Sequence, residues 1–204
     1  MDSLRIEKAN MHHLIKKAIE LNATRAHVIY SRDLSLTWKA VMLCLDCKVT
    51  QVSWMRRWSC PPHTIGINDV EAMIQQYPYA LIVNLEVDFW SFVKTSWNTW
   101  NPFTQAAQKI YSHIFWSKLH KIMLGLKNYF KNESIPSYCW GSAPCHGCFK
   151  CSFPKKCRKP GSFLYAPEAS GIDLYHIAKE IGIPIEIPPQ KKIQLMSLAL
   201  FNMP

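Results

Sequence analysis

Apolar and polar residues follow helical and strand-like periods in turn along this chain. Over residues 4–21, apolar residues recur at the three- and four-residue spacing of an amphipathic helix. The same spacing predicts helices over 67–77, 105–129 and 171–182; in the last, Asp173 lies near the start and Gly182 at the end. Short apolar runs predict strands over 26–30, 36–43, 79–87, 183–187 and 193–201.

These elements predict an α/β or α+β fold, with a mixed sheet of about five strands covered by three or four helices. The run 79–87 is mostly apolar, which is typical of a central strand buried on both faces. The last two strands are expected to pair as a hairpin through Pro188 and Pro189. We expect residues 1–204 to form a single domain, with 139–160 as a cysteine-rich, ferredoxin-like cluster-binding insertion.

The composition restricts the classes of function. The chain has 204 residues, 49% of them hydrophobic, which excludes a mainly disordered protein. A formal net charge of +10 favours an acidic protein partner, while the lack of a helix-turn-helix, RNP or zinc-finger signature disfavours nucleic acid. The charged start and the short apolar runs predict neither a signal peptide nor a membrane span, and hence a cytoplasmic protein.

The densest chemical pattern is a group of four cysteines in the second half of the chain. Cys145, Cys148, Cys151 and Cys157 have the spacing C-x-x-C-x-x-C-x5-C, close to that of ferredoxin segments that bind a [4Fe–4S] cluster. A structural zinc site usually takes two C-x-x-C pairs from separate turns. Disulfide frameworks belong mainly to small secreted domains. The spacing favours a cluster, and zinc and disulfides or unligated thiols are the alternatives.

A second group of cysteines precedes it. Cys44 and Cys47 form a C-x-x-C pair at the end of a predicted strand, and Cys60 stands before two prolines that fix a rigid turn. Three thiolates would leave one iron of a second [4Fe–4S] cluster open to a substrate or a further ligand. The alternatives are that Cys44 or Cys60 is a small buried residue, or that Cys139 supplies the fourth ligand.

This pattern resembles a family of uncharacterised proteins described as predicted metal-binding. The resemblance runs from about Cys44 to Pro184, which is most of the chain. Its most specific parts are Ser59-Cys60-Pro61-Pro62, the segment from Cys145 to Pro160, Glu168, and Gly171-Ile172-Asp173. The resemblance implies iron–sulfur clusters bound by these cysteines, and it implies no particular reaction.

Three functions follow as hypotheses. In the first, the clusters transfer electrons to a partner redox enzyme or activate it. In the second, the chain is an enzyme whose open iron acts as a Lewis acid or accepts sulfur from a substrate; His63 would be its acid or base, and the aromatic residues between 90 and 103 would line a small-molecule pocket. In the third, zinc stabilises a binding module. The sequence leaves open whether the protein is an enzyme.

Overall fold

A four-stranded antiparallel sheet forms the centre of the structure, which is a computed structural model described over residues 11–46, 57–88, 102–142, 145–148, 151–186 and 192–203. The strands are β1 (Arg25–Tyr30), β2 (Tyr79–Asp88), β3 (Ser137–Cys139) and β4 (Lys192–Phe201). They lie in the order β1-β2-β4-β3. The long pair β2 and β4 runs from Tyr79 opposite Phe201 to Asp88 opposite Lys192.

Both faces of this central pair are buried. Leu81 and Val83 point to one face, and Ala80 and Ile82 point to the other, and all four are 0% exposed. Successive side chains of a strand point to opposite faces, so a strand covered on both sides must be mainly apolar. The mainly apolar sequence of β2 has this cause, and its predicted central position is confirmed. The buried Asn84 donates hydrogen bonds to the Gln194 side chain and the Leu195 carbonyl.

Helices cover the two faces of the sheet. Those in the described part of the chain are α1 (His12–Glu20), α2 (Trp38–Leu45), α3 (Ile67–Gln76), α4 (Pro102–Asn132) and α5 (Leu174–Glu180). α1 and α4 bury Leu14, Met123 and Phe130 against one face. α3 and α5 bury Val70 and Ile177 against the other. The result is three layers with a separate apolar core on each side of the sheet.

Short polar side chains fix where three of the helices begin. The Thr37 hydroxyl accepts the Lys39 N–H at 3.1 Å before α2. The Asp173 carboxylate accepts the His176 N–H at 3.0 Å before α5, as its predicted position near the helix start implied. At α3 the cap is Gly66, whose N–H is bound by the Asp69 carboxylate at 2.9 Å. Each of these bonds satisfies an N–H group that a helix end otherwise leaves unpaired.

The α/β fold class is confirmed, and some of its details differ from the prediction. The described sheet has four antiparallel strands and is not mixed. The run 36–43 was predicted as a strand and lies largely in helix α2. Residues 183–186 form no strand, so the hairpin predicted with 193–201 is wrong; β4 pairs with β2 and β3 instead. The three-residue strand β3 was not predicted.

Other predicted elements are confirmed. They are the strand at 26–30, the helix at 67–77, and the long helix, which extends beyond its predicted limits to Pro102 and Asn132. The start of the first predicted helix and most of the aromatic stretch lie outside the described residues. No helix in the described ranges has the length and apolar character needed to cross a membrane.

We predict that Gly171→Ala lowers the free energy of unfolding by at least about 2 kcal/mol, because two costs add. Gly171 has φ +88°, and an added Cβ would overlap the Ile67 side chain. Urea denaturation would measure the loss.

Two other glycines separate these causes. Gly182 also has a positive φ, of 73°, but open space around it, so Gly182→Ala should cost about 1 kcal/mol. Gly161 has open space and no positive φ, so Gly161→Ala should be nearly neutral. Equal losses for all three variants would contradict the prediction.

Candidate metal centre

The cysteine loop, residues 141–162, is supported on one side by helix α4. The Ser142 hydroxyl donates to the Trp116 carbonyl at 3.0 Å. One turn further along the helix, the Nε2–H of His120 donates to the Ser162 carbonyl at 2.9 Å. His120 is 1% exposed, and Ser142 is fully buried. Both ends of the loop are therefore attached to the same helix.

The opposite side of the loop is covered by the proline turn, residues 57–64, which carries Cys60. The Ser59 hydroxyl accepts the backbone N–H of Cys145 at 2.7 Å. Arg57 Nη1 donates to the backbone carbonyl of Cys145 at 3.0 Å. Trp58 Nε1 donates to the Lys155 carbonyl at 3.0 Å. The proline turn thus binds both backbone polar groups of the first cysteine of the loop.

Aromatic rings strengthen this contact. The Trp58 ring meets the rings of His63 and Phe153 edge-on, with centroids 5.0 Å apart in both pairs. His63 and Phe153 lie 5.1 Å apart, so the three rings form one cluster. Such pairs contribute about 0.5–1.5 kcal/mol each beyond the area they bury. His63, predicted as an acid or base, is an exposed residue of the turn whose ring contacts Trp58 and Phe153.

Four cysteine side chains of the loop line one small, partly enclosed pocket. They are Cys145, Cys148, Cys151 and Cys157, which are half-buried and not in disulfides. The same pocket is lined by the cations Arg57 and Lys159 and by the rings of Trp58 and Phe163. In the parts of the chain that the structure describes, no three Cys, His, Asp or Glu side chains are close enough to hold a single metal ion.

Opposing effects act on the Cys145 sulfur. Burial raises the pKa of the Cys145 thiol, while the N–H groups of Gly147 and Leu164 and the charge of Arg57 act in the other direction. The Gly147 N–H donates to Cys145 Sγ over 3.5 Å. Burial is the larger effect, so the pKa of this thiol is raised overall, and the N–H donors and the cation offset part of the increase.

The donor set fits an iron–sulfur cluster. The four cysteine ligands of a cluster stand around a group of several atoms. Their sulfur atoms are therefore farther apart than the four ligands of a single metal ion. The loop supplies four thiols around one pocket, an N–H bond to one sulfur, and two cations that offset negative charge. Soft thiolate donors of this kind suit iron–sulfur clusters and zinc among biological metals.

The chain was compared with known proteins. The model of a family described as "Predicted metal-binding protein (DUF2284)" matches residues 27–201. The chain belongs to the DUF2284 family. No curated protein and no solved structure matches it. The DUF2284 match covers both groups of cysteines, the proline turn and Glu168, so the family assignment extends to every candidate ligand predicted from the sequence.

Cys139 lies apart from the pocket of this DUF2284 protein. It is 7% exposed, pairs with Ala199 across strands β3 and β4, and packs in the core beneath α4. Burial raises the pKa of its thiol to about 12, so the sulfur stays protonated and carries no charge to offer a metal. The structure therefore places Cys139 in the core, outside the lining of the four-cysteine pocket.

The N-terminal cysteines are carried by two different elements. Cys44 is half-buried on α2, and Cys60 is buried in the proline turn. Both elements are attached to residues 169–171: the Thr37 N–H, which precedes α2, donates to the Gly171 carbonyl at 2.8 Å, and the Thr64 hydroxyl donates to the Ala169 carbonyl at 3.0 Å. Cys47 lies outside the described residues, so this three-cysteine site stays a prediction.

Several residues around the loop were not predicted from the sequence. Arg57 and Ser59 stand directly before Cys60, but their contacts with Cys145 span 88 and 86 residues of sequence. His146 has both ring nitrogens buried without a hydrogen-bond partner, and burial is the main cause that lowers its pKa to about 3. Its ring lies 4.8 Å from that of His113. The only sign of these residues in the sequence is their position close to a cysteine.

Glu168 is a further buried group, next to the segment that anchors both N-terminal elements. Its Oε2 atom is buried without a hydrogen-bond partner, although the residue as a whole is only half-buried. Burial raises the pKa of this carboxyl from 4.5 to about 7, against a smaller opposite effect of its own backbone N–H. The carboxyl therefore holds a proton near neutral pH, which is the state required of a proton donor.

We predict that Glu168→Gln removes a pH dependence of stability. The folded protein keeps this proton up to about pH 7, whereas the unfolded chain loses it near pH 4.5. As the pH rises through this window, the free energy of unfolding therefore falls, by up to about 3 kcal/mol at pH above 7. The stability of the variant relative to the wild type should rise between pH 5 and 7.5 in urea denaturation. Glu133→Gln, which changes an exposed glutamate, serves as the control, and equal pH profiles for the two variants would contradict the assignment.

Proposed function

We propose that this protein holds a [4Fe–4S] cluster through Cys145, Cys148, Cys151 and Cys157 and uses it in electron transfer to a partner redox enzyme, or in activation of that enzyme. The single observation that carries the proposal is the placement of these four thiols around one pocket. A cluster bound there would supply one-electron chemistry. The protein's own residues bind it, limit its contact with water and set the charge around it.

The surroundings of the pocket support a redox role. Trp58 and Phe163 line it with apolar surface, which limits contact with water. Arg57 and Lys159 line it with positive charge, which favours a group that becomes more negative on reduction. Solvent exposure, hydrogen bonds to sulfur and net charge are the properties by which a protein sets the potential of such a cluster.

Zinc is the main alternative for the four-cysteine pocket. A single zinc ion requires four ligands in a tetrahedron, with each sulfur about 2.3 Å from the ion. The four cysteines would have to draw together around one point to reach this geometry. In that case the metal would contribute folding energy, and the protein would be a zinc-stabilised binding module with no redox role.

The charge of the loop indicates how a partner would dock. Exposed cations stand between and after the last two cysteines of the pocket: Lys155, Lys156, Arg158 and Lys159. An acidic protein surface would be attracted to this rim and would come to rest beside the proposed cluster. This arrangement supports an acidic redox partner and shortens the path for an electron.

The enzyme hypothesis rests on the N-terminal cysteines. Cys44, Cys47 and Cys60 would hold a second cluster and leave one iron for a substrate. Glu168 supports this second candidate, because a carboxyl with a raised pKa lies next to the segment to which the elements of Cys44 and Cys60 are attached. Its expected role is to hold or deliver a proton at that site.

We predict that protein purified without oxygen contains iron and acid-labile sulfide in equal amounts. About eight of each per chain would indicate two clusters, and about four would indicate one. Reversible reduction without a small molecule would favour electron transfer; a change of the EPR spectrum on adding a candidate ligand would favour the enzyme. Zinc without sulfide in a colourless protein would leave only the binding module.

We predict that Cys148→Ala abolishes the C-terminal cluster and destabilises the fold, because it removes one of four ligands. Cys139→Ala is the matched control: it removes a thiol from the core and should keep the full iron content. Iron, sulfide and the visible spectrum are the readouts. Full iron and an unchanged spectrum in Cys148→Ala would show the main assignment to be wrong.

We predict that Cys60→Ala removes only the second cluster. The variant should therefore lose about half of the iron if two clusters are present, and none if Cys60 is only a buried core residue. EPR of the reduced protein distinguishes which signal is lost. Loss of both signals would mean that all the cysteines serve one cluster.

A further inference from the structure

Arg57 is a charged residue of the proline turn that contacts the cysteine loop. Its guanidinium donates to the backbone carbonyl of Cys145, and the side chain lines the four-cysteine pocket. The guanidinium is therefore held beside the first proposed ligand in a fixed position.

No carboxylate in the described residues forms an ion pair with Arg57. Arg57 contacts the carbonyl oxygen of Cys145. It also lines the pocket together with the four cysteines. A negative neighbour stabilises a partly buried arginine more than an exposed one, because water and salt screen its charge less. Thiolates bound to metal would provide such a neighbour, since a cluster with four cysteine ligands carries net negative charge.

Lys159 lines the same pocket but differs in its exposure. It lies in the exposed part of the loop, whereas Arg57 is half-buried. Exposed charges are screened by water and salt, and a charge in partly buried surroundings is screened less. Of the two cations, Arg57 is expected to have the larger effect on a group in the pocket.

We propose that Arg57 is a positioning and charge-compensating residue of the C-terminal centre, which holds Cys145 in place and raises the reduction potential of the group bound there. The inference rests on the proposed function. When the cluster gains one electron from a reductant, its net charge becomes more negative by one. The nearby cation stabilises that reduced form more than the oxidised form, so the potential rises.

This role also explains why the proline turn contacts the loop at Cys145. The Ser59 hydroxyl holds the N–H of this residue and Arg57 holds its carbonyl, so the peptide units on both sides of the cysteine are fixed. A ligand whose backbone is fixed keeps its sulfur in place when the charge of the metal group changes.

The test is a dithionite titration of the loaded protein, with the midpoint potential read from the visible spectrum and EPR. In Arg57→Gln the midpoint should become more negative, and the ratio of reduced to oxidised protein at a fixed potential should fall on the order of tenfold. That is the effect of one charge at a distance of about 10 Å in a medium of effective dielectric constant about 20. Arg57→Lys keeps the charge and should stay near the wild type.

Arg32→Gln is the matched control, because it neutralises an exposed arginine in the 3-10 helix Ser31–Asp33. An Arg57→Gln variant that loads its iron and keeps the wild-type midpoint, or shifts only as far as Arg32→Gln, would overturn the proposal. If Arg57→Gln does not bind iron, Arg57→Lys is the deciding variant. Iron binding with a midpoint near the wild type supports the proposal. A shifted midpoint, or a folded Arg57→Lys protein without iron, contradicts the role of the charge. Wild-type protein without iron and sulfide would refute the proposed function itself.

Discussion

The pair of hydrogen bonds on the backbone of Cys145 is the contact on which the candidate site depends. Ser59 and Arg57 provide it from a turn that is 86 to 88 residues earlier in the sequence. A cysteine-rich loop has little core of its own, so its shape must come from what surrounds it. Here helix α4 supports the loop from behind, and the proline turn covers it from the front.

Much of the fold could be predicted because the core determines the pattern. β2 is apolar at every buried position except Asn84, and the buried face of α4 repeats at helical spacing, so both elements were found from their patterns. The four cysteines of the loop were also found, since their spacing reflects one local chain turn around a metal group. Local signals of this kind require no knowledge of distant contacts.

The errors occurred where the pattern was set by something other than the core. In α2 the apolar residues Trp38, Met42 and Leu43 are 52–67% exposed, so their order follows no buried face and resembled a strand. The partner of β4 could not be chosen locally, because β2 lies more than a hundred residues earlier. Likewise, nothing in Arg57 or Ser59 alone shows that each binds the backbone of Cys145.

The strand order has a consequence for how the protein is made. β3, from which the cysteine loop leaves the sheet, is three residues long and pairs with β4, which is synthesised more than fifty residues later. So short a strand has no stability without its neighbour. On the ribosome, the chain exposes all of its cysteines before residues 192–201 have emerged to fix the loop. Helix α4 and the proline turn precede the loop in the sequence, so its frame is complete only once this last strand has been added.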